Sequence, residues 1–145
     1  MKYLKTLRCG RMDKKELYYF KKAKYASRIS TFDRVRIGCI AVYKKQIIAV
    51  GFNKAKTNPM QTKYSKYRGI QTRNNYLHAE MDCLNQIRDL KIDFKKVKLF
   101  VYREDDSKMK RICKPCGACE KAIRDLGIKV AYYTDTNKYV REDYE

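Results

Sequence analysis

Apolar and polar positions follow two rhythms along this chain. In residues 16–31 (ELYYFKKAKYASRIST), Leu17, Phe20, Ala23 and Ser27 recur near helical spacing with lysines opposite, which predicts an amphipathic helix. Residues 37–43 and 46–52 are β-type runs, and Lys44 and Lys45 between them mark a tight connection, so an antiparallel hairpin is expected. Both runs are nearly continuously apolar, which predicts a sheet covered on both faces. A polar stretch at 53–76, carrying Pro59, Gly69, several Lys and Arg, Tyr64, Tyr67 and Tyr76, reads as a long loop with room for a helical turn. Residues 78–90 return to helical spacing through Ala79, Cys83, Leu84, Ile87 and Leu90. A third strand is expected at 97–102. A helix follows at 115–126, with Pro115 near its start and Gly127 closing it, and then a fourth strand at 128–133. The polar tail at 134–145 has room for a last short helix.

The order is α-β-β-α-β-α-β. Strands alternating with helices in the second half imply parallel neighbours and right-handed crossovers. The expected fold is α/β: a three-layer α-β-α domain with a mixed sheet. No repeat, low-complexity tract or linker divides the chain, so residues 1–145 read as one domain with a core at about 16–133.

Charge adds a question about partners. Thirty-five Lys and Arg against sixteen Asp and Glu give +19. This fits a polyanion partner, and it equally fits a lysine-rich composition spread over solvated faces; charge speaks to partners and not to fold. No apolar run is long enough to span a membrane, and no apolar leader follows the basic N-terminus. Of the six cysteines, Cys39 lies in a strand-like run, Cys83 in a helix-like run, and Cys116 and Cys119 form a Cys-x-x-Cys. Reduced thiols and metal ligands in a cytoplasmic protein are expected from that usage.

The chemistry concentrates in two short segments. His78 is the sole histidine, Glu80 follows two residues later, and Pro115-Cys116-Gly117-Ala118-Cys119 lies downstream. One imidazole and two thiolates make a three-ligand zinc site, which leaves a tetrahedral position for water. Zinc lowers the pKa of such a water to about 7, and Glu80 is a free carboxylate placed to shuttle its proton. Both ligand groups fall at expected helix N-termini, where free N–H groups favour thiolate and developing negative charge. A sealed structural site is the alternative, with Cys113 as fourth ligand; Pro115 suits a helix start and sends Cys113 into the preceding loop.

His-x-Glu with a downstream Pro-Cys-x-x-Cys resembles the cytidine/deoxycytidylate deaminase superfamily. The resemblance covers roughly residues 16–133. It is nearest to the branch holding deoxycytidylate deaminases and tRNA adenosine deaminases, because the first ligand is His. The resemblance implies Zn2+ as cofactor, His78, Cys116 and Cys119 as ligands, Glu80 as catalytic residue, and a homo-oligomer. It also implies Asn53, Ala79, Lys114 and Pro115 as substrate-binding positions, the Ala79 N–H meeting the base carbonyl and the Lys114 carbonyl the departing amine. The chain departs from the family's pattern in the insertion at 103–114 and the long basic loop at 53–77, both beside the expected site entrance.

Two substrate classes follow. One is a cytosine nucleotide such as dCMP, its phosphate met by Lys54, Lys56, Lys63, Arg68 or Arg73. The other is a cytosine or adenine within single-stranded DNA or RNA, with the same residues and Tyr64, Tyr67 and Tyr76 forming a groove. A non-catalytic zinc-stabilised nucleic-acid-binding domain is the third reading, which the free carboxylate of Glu80 disfavours.

Overall fold

In the computed structural model, residues 3–6, 13–30, 35–56, 58–68, 77–105, 115–135 and 138–144 are described. The elements are β1 (Tyr3–Thr6), α1 (Lys14–Ser27), β2 (Val35–Tyr43), β3 (Gln46–Phe52), α2 (Pro59–Tyr64), α3 (Ala79–Ile87), β4 (Val97–Asp105), α4 (Gly117–Leu126), β5 (Val130–Asp135) and β6 (Lys138–Asp143). Among the described residues the strands form one sheet in the order β1-β6-β5-β4-β2-β3. Only β4 and β5 pair in parallel; every other neighbouring pair is antiparallel. The expected three-layer architecture and mixed sheet are therefore present.

The period of two along the strands sorts their side chains into two cores. Cys39 and Ala41 of β2, Leu99 and Val101 of β4, and Ala131 and Tyr133 of β5 face α3 and α4. The intervening Ile40, Val42, Phe100, Tyr102 and Tyr132 meet Tyr19, Phe20 and Ala23 of α1. In this second core Phe100 and Tyr132 are direct partners across β4 and β5 and stack at 4.5 Å, with Phe20 edge-on to Phe100 at 5.3 Å. Offset and edge-to-face contacts of this kind add about 0.5–1.5 kcal/mol each beyond burial.

Three expectations change, and the helical turn expected after β3 takes form as α2. On α1 the buried stripe runs through Tyr19, Phe20, Ala23, Ala26 and Ser27, while Leu17 is exposed. Leu17 stands about 120° round the helix from the centre of that stripe. β3 is an edge strand and is not covered on both faces: Ala49 and Gly51 are buried and Val50 is exposed. The tail forms β6, not a helix, and β6 lies between β5 and β1, a strand that hydropathy did not reveal. Its sequence KYVRED is mostly polar, and its backbone pairs along the edge of β5, from Val130 opposite Asp143 to Asp135 opposite Lys138. The loop after β3 holds α2, started by Asn58 as N-cap and Pro59 behind it.

Two glycines bring helices onto the sheet from opposite sides. A Cβ at Gly38 would lie 2.1 Å from the Ala23 carbonyl oxygen of α1. A Cβ at Gly51 would lie 2.5 Å from the Ala79 carbonyl oxygen and 2.6 Å from the Cys83 nitrogen, both on α3. The helix backbones rest directly on strand backbone, where any side chain would lever them off.

Gly51→Ala must displace α3, and overpacking of this sort costs about 1–3 kcal/mol. Urea unfolding should show that loss, whereas Val50→Thr, one residue away on the exposed side, should stay within about 0.5 kcal/mol. Equal stability of the two variants would mean that α3 is not seated by Gly51.

Candidate metal centre and active site

Asp82 lies in the first turn of α3 and ties that helix to the end of β3. Its Oδ2 accepts the Phe52 N–H at 3.1 Å, and the Lys54 ammonium donates to Oδ1 at 3.2 Å. Lys54 and Leu77 exchange backbone hydrogen bonds at 3.0 Å each, so the residue just before His78 is pinned to the strand end. His78 then serves as N-cap of α3 in extended conformation, and its side chain makes no capping bond. The imidazole faces α4.

Across from it, Cys116 is the N-cap of α4 and Cys119 stands one turn along. His78 Nδ1 lies 3.5 Å from Cys116 Sγ and 3.4 Å from Cys119 Sγ. The three donor atoms lie within 4.8 Å of one another. Tetrahedral zinc with ordinary Zn–N and Zn–S bonds separates nitrogen from sulfur by roughly 3.6 Å. The spacing and the borderline-soft donors therefore fit zinc. Among the described residues no fourth ligand joins them, and Cys113 lies outside the described residues.

The electrostatics of the cluster follow from burial and shared protons. A hydrogen bond from Cys119 holds the Cys116 thiol down to about 4, and that contact, with burial, raises Cys119 well above its ordinary value. A metal takes both as thiolates by releasing the shared proton. Glu80 is buried beside Cys119. Burial pushes its carboxyl above the usual carboxylate range, opposed by His78 and reinforced by Cys116.

The other expected positions separate. Ala79 is buried as the first residue of α3, a position whose N–H has no acceptor within the helix. Pro115 is buried just ahead of α4. Asn53 is buried with its amide on β2: Nδ2 donates to the Val35 carbonyl at 2.9 Å, and Oδ1 accepts from the Ile37 N–H at 3.0 Å. In this structure Asn53 joins the ends of β2 and β3. The Lys54 ammonium, expected at a phosphate, is paired with Asp82. Lys56 and Lys63 are exposed, whereas Lys114, Arg73, Tyr76 and the side chain of Arg68 lie outside the described residues.

Gln61 escaped the sequence reading, and Tyr64, singled out there for a groove, packs onto the domain. Gln61, fully buried on α2, accepts the His78 backbone N–H at 3.0 Å. Tyr64, one turn on, is buried rather than offered to a base, and its hydroxyl donates to Asp125 of α4 at 2.8 Å. Helix α2 is thus a strut that touches both metal-holding helices. The Asn58-Pro59 pair could have revealed the helix; nothing in a polar loop reveals which side chains it turns inward.

Residues 13–135 match the family described as the cytidine and deoxycytidylate deaminase zinc-binding region. Among solved structures the chain is similar to a dCMP deaminase from the cyanophage S-TIM5 in apo form, at 26% identity and a TM-score of 0.61, with 86% of each chain covered. The same enzyme with dCMP and dUMP aligns at 23% identity and a TM-score of 0.59, covering 85% of this chain and 83% of that one. A cytidine deaminase from Burkholderia pseudomallei aligns at 17% identity and a TM-score of 0.60, covering 90% and 91%. No curated protein matches the sequence.

Gln61→Leu removes the acceptor that holds the His78 backbone. Supporting contacts of metal ligands are commonly worth 10–100-fold in affinity, so the zinc dissociation constant should rise about tenfold in competition with a chromophoric chelator. An unchanged constant would remove Gln61 from the support of the site.

Proposed function

The chain belongs to the cytidine and deoxycytidylate deaminase family, whose members are zinc-dependent hydrolytic deaminases, and from that premise we propose that it converts the cytosine of a nucleotide such as dCMP to uracil, releasing ammonia. The observation that carries this reading is the buried carboxylate of Glu80, which lies beside the His78–Cys116–Cys119 cluster without belonging to it. A sealed structural site has no use for such a group.

Bound zinc would be held by His78, Cys116 and Cys119 and would supply the Lewis acidity that makes water a nucleophile near neutral pH. Glu80 takes the proton from the attacking water, delivers it to the ring nitrogen, and passes the second proton to the leaving amine. One water enters and one ammonia leaves, so protons balance. The Ala79 N–H, at the positive end of α3, donates to the base carbonyl, and Pro115 closes the pocket wall. Lys56 and Lys63 are the exposed cations on the loop that would meet the nucleotide phosphate. The similarity to a dCMP deaminase supports the choice of substrate.

A base within a single strand is the second reading. Tyr67 is 43% exposed, with the ammonium groups of Lys66 and Lys121 at 5.2 and 5.9 Å from its ring. That is the chemistry of a stacking platform flanked by phosphate contacts. Among the described residues Tyr67 is the one tyrosine of the three expected there that is free to stack, which keeps the nucleotide reading first.

Zinc-loaded protein should release ammonia from dCMP, and removal of zinc by a chelator should abolish turnover until zinc is restored. Glu80→Gln should retain one zinc per chain by elemental analysis while turnover falls by at least about 10²-fold, the lower range of general acid–base contributions. Turnover confined to a cytosine-bearing oligonucleotide, and weakened by salt, would replace the nucleotide with the strand. Undiminished activity in Glu80→Gln would sink both.

A further inference from the structure

We propose that a lysine-lined pocket at the opposite end of the sheet is a second anion site, one that takes a multiply charged phosphate group. The pocket is about 250 Å³ and is lined by Tyr19, Val42, Lys44, Lys45, Lys96 and Lys98. Tyr19 and Val42 belong to the core under α1, whereas the metal cluster lies on the α3 and α4 face. Lys44 and Lys45 immediately precede β3 and the metal cluster adjoins its far end, so the length of the strand, about 20 Å, separates the two sites. The pocket therefore shares neither face nor end with the proposed active site.

Four exposed lysines line it, the Lys44 ammonium lying 5.3 Å over the Tyr43 ring. Among the described residues no ion pair involves Lys44, Lys45, Lys96 or Lys98. Lys15 is close enough to Lys45 for like-charge contact to hold its ammonium below the ordinary lysine value. The carboxylates that feel Lys98 are Asp13 and Glu16. Asp13 is committed to capping α1 through the Glu16 N–H at 2.8 Å. Among the described residues five lysines thus stand near two carboxylates, an excess of positive charge that a bound anion would balance.

The backbone holds two of these lysines against local preference. Lys44 and Lys45 form a two-residue hairpin turn with φ of 49° and 68°, both left-handed. Asn-Gly is the favoured pair for such a turn, because side chains at two positive φ values are strained. The Tyr19 hydroxyl donates to the Lys45 carbonyl at 3.1 Å and fixes the turn against α1. Strain kept at a rigid, charged turn is a mark of function. A compact, multiply charged phosphate matches the size and the charge of the pocket. Its source is either a free polyphosphate or the backbone of a nucleic acid.

Inorganic tripolyphosphate titrated into the zinc-loaded, ¹⁵N-labelled protein should first shift the amides of residues 43–46 and 96–98. Lys44→Asn with Lys45→Gly suits the turn, so thermal stability should hold or rise while binding weakens about tenfold, as expected for losing charge-assisted contacts. Lys96→Gln with Lys98→Gln tests the pocket away from the turn and should weaken binding similarly. Lys21→Gln with Lys24→Gln, an equal loss of charge on α1 outside the pocket, should change it less than about twofold. A ten-residue oligothymidylate separates the sources. Losing more affinity in the pocket variants than in the α1 control assigns the nucleic-acid backbone, and equal loss assigns free polyphosphate. If tripolyphosphate also fails to distinguish the pocket variants from the control, or shifts no amide there, the site does not exist.

Discussion

Helix α3 lies directly on β3 because residue 51 has no side chain, and the geometry of the metal centre depends on that contact. The Ala79 carbonyl and the Cys83 nitrogen occupy the space that any Cβ at position 51 would need. With the helix seated this low, Asp82 reaches both the Phe52 N–H and the Lys54 ammonium, and Leu77 can bridge to Lys54. These contacts fix the first residue of α3 to the strand end. The imidazole of His78 faces the start of α4.

Precision at the cluster comes from groups that never touch the metal. A nitrogen 3.4–3.5 Å from each of two sulfurs is close to what tetrahedral zinc requires, so little reorganisation accompanies binding. Helix α2 contributes by joining α3 through Gln61 and α4 through Tyr64. The two helix N-termini add a positive field in a place where both the thiolates and the chemistry carry negative charge. Glu80 is buried beside the same cluster, next to Cys119.

Much of this was legible in the sequence. The hairpin, its Lys44-Lys45 turn, the helix opened by His78 and the helix opened by Pro115-Cys116 all follow from local periodicity and terminus signals, which depend on neighbours a few residues away. Residue chemistry was equally plain, since the sole histidine, a spaced glutamate and a Cys-x-x-Cys have few uses together. Missed elements share the opposite property. Strand β6 is polar in sequence and is defined by its pairing with β5 and with β1, at the far end of the chain. Leu17 faces solvent while Tyr19 packs against Phe100, far along the chain.

The three-layer fold class, the His-Cys-Cys donor set and its placement at helix starts follow from the chain alone, because spacing and composition are local properties. Tertiary structure alone decided which polar side chains hold the site: the Asn53 amide on Val35 and Ile37, the Lys54 ammonium on Asp82, the Gln61 amide on His78. It also decided that Lys44 and Lys45 gather with Lys96 and Lys98 around one pocket, although some fifty residues separate the pairs. Hydrogen bonds and charge clusters between distant segments depend on angles and distances of closest approach, and those are set only when the sheet, the glycine contacts and the helices close on one another.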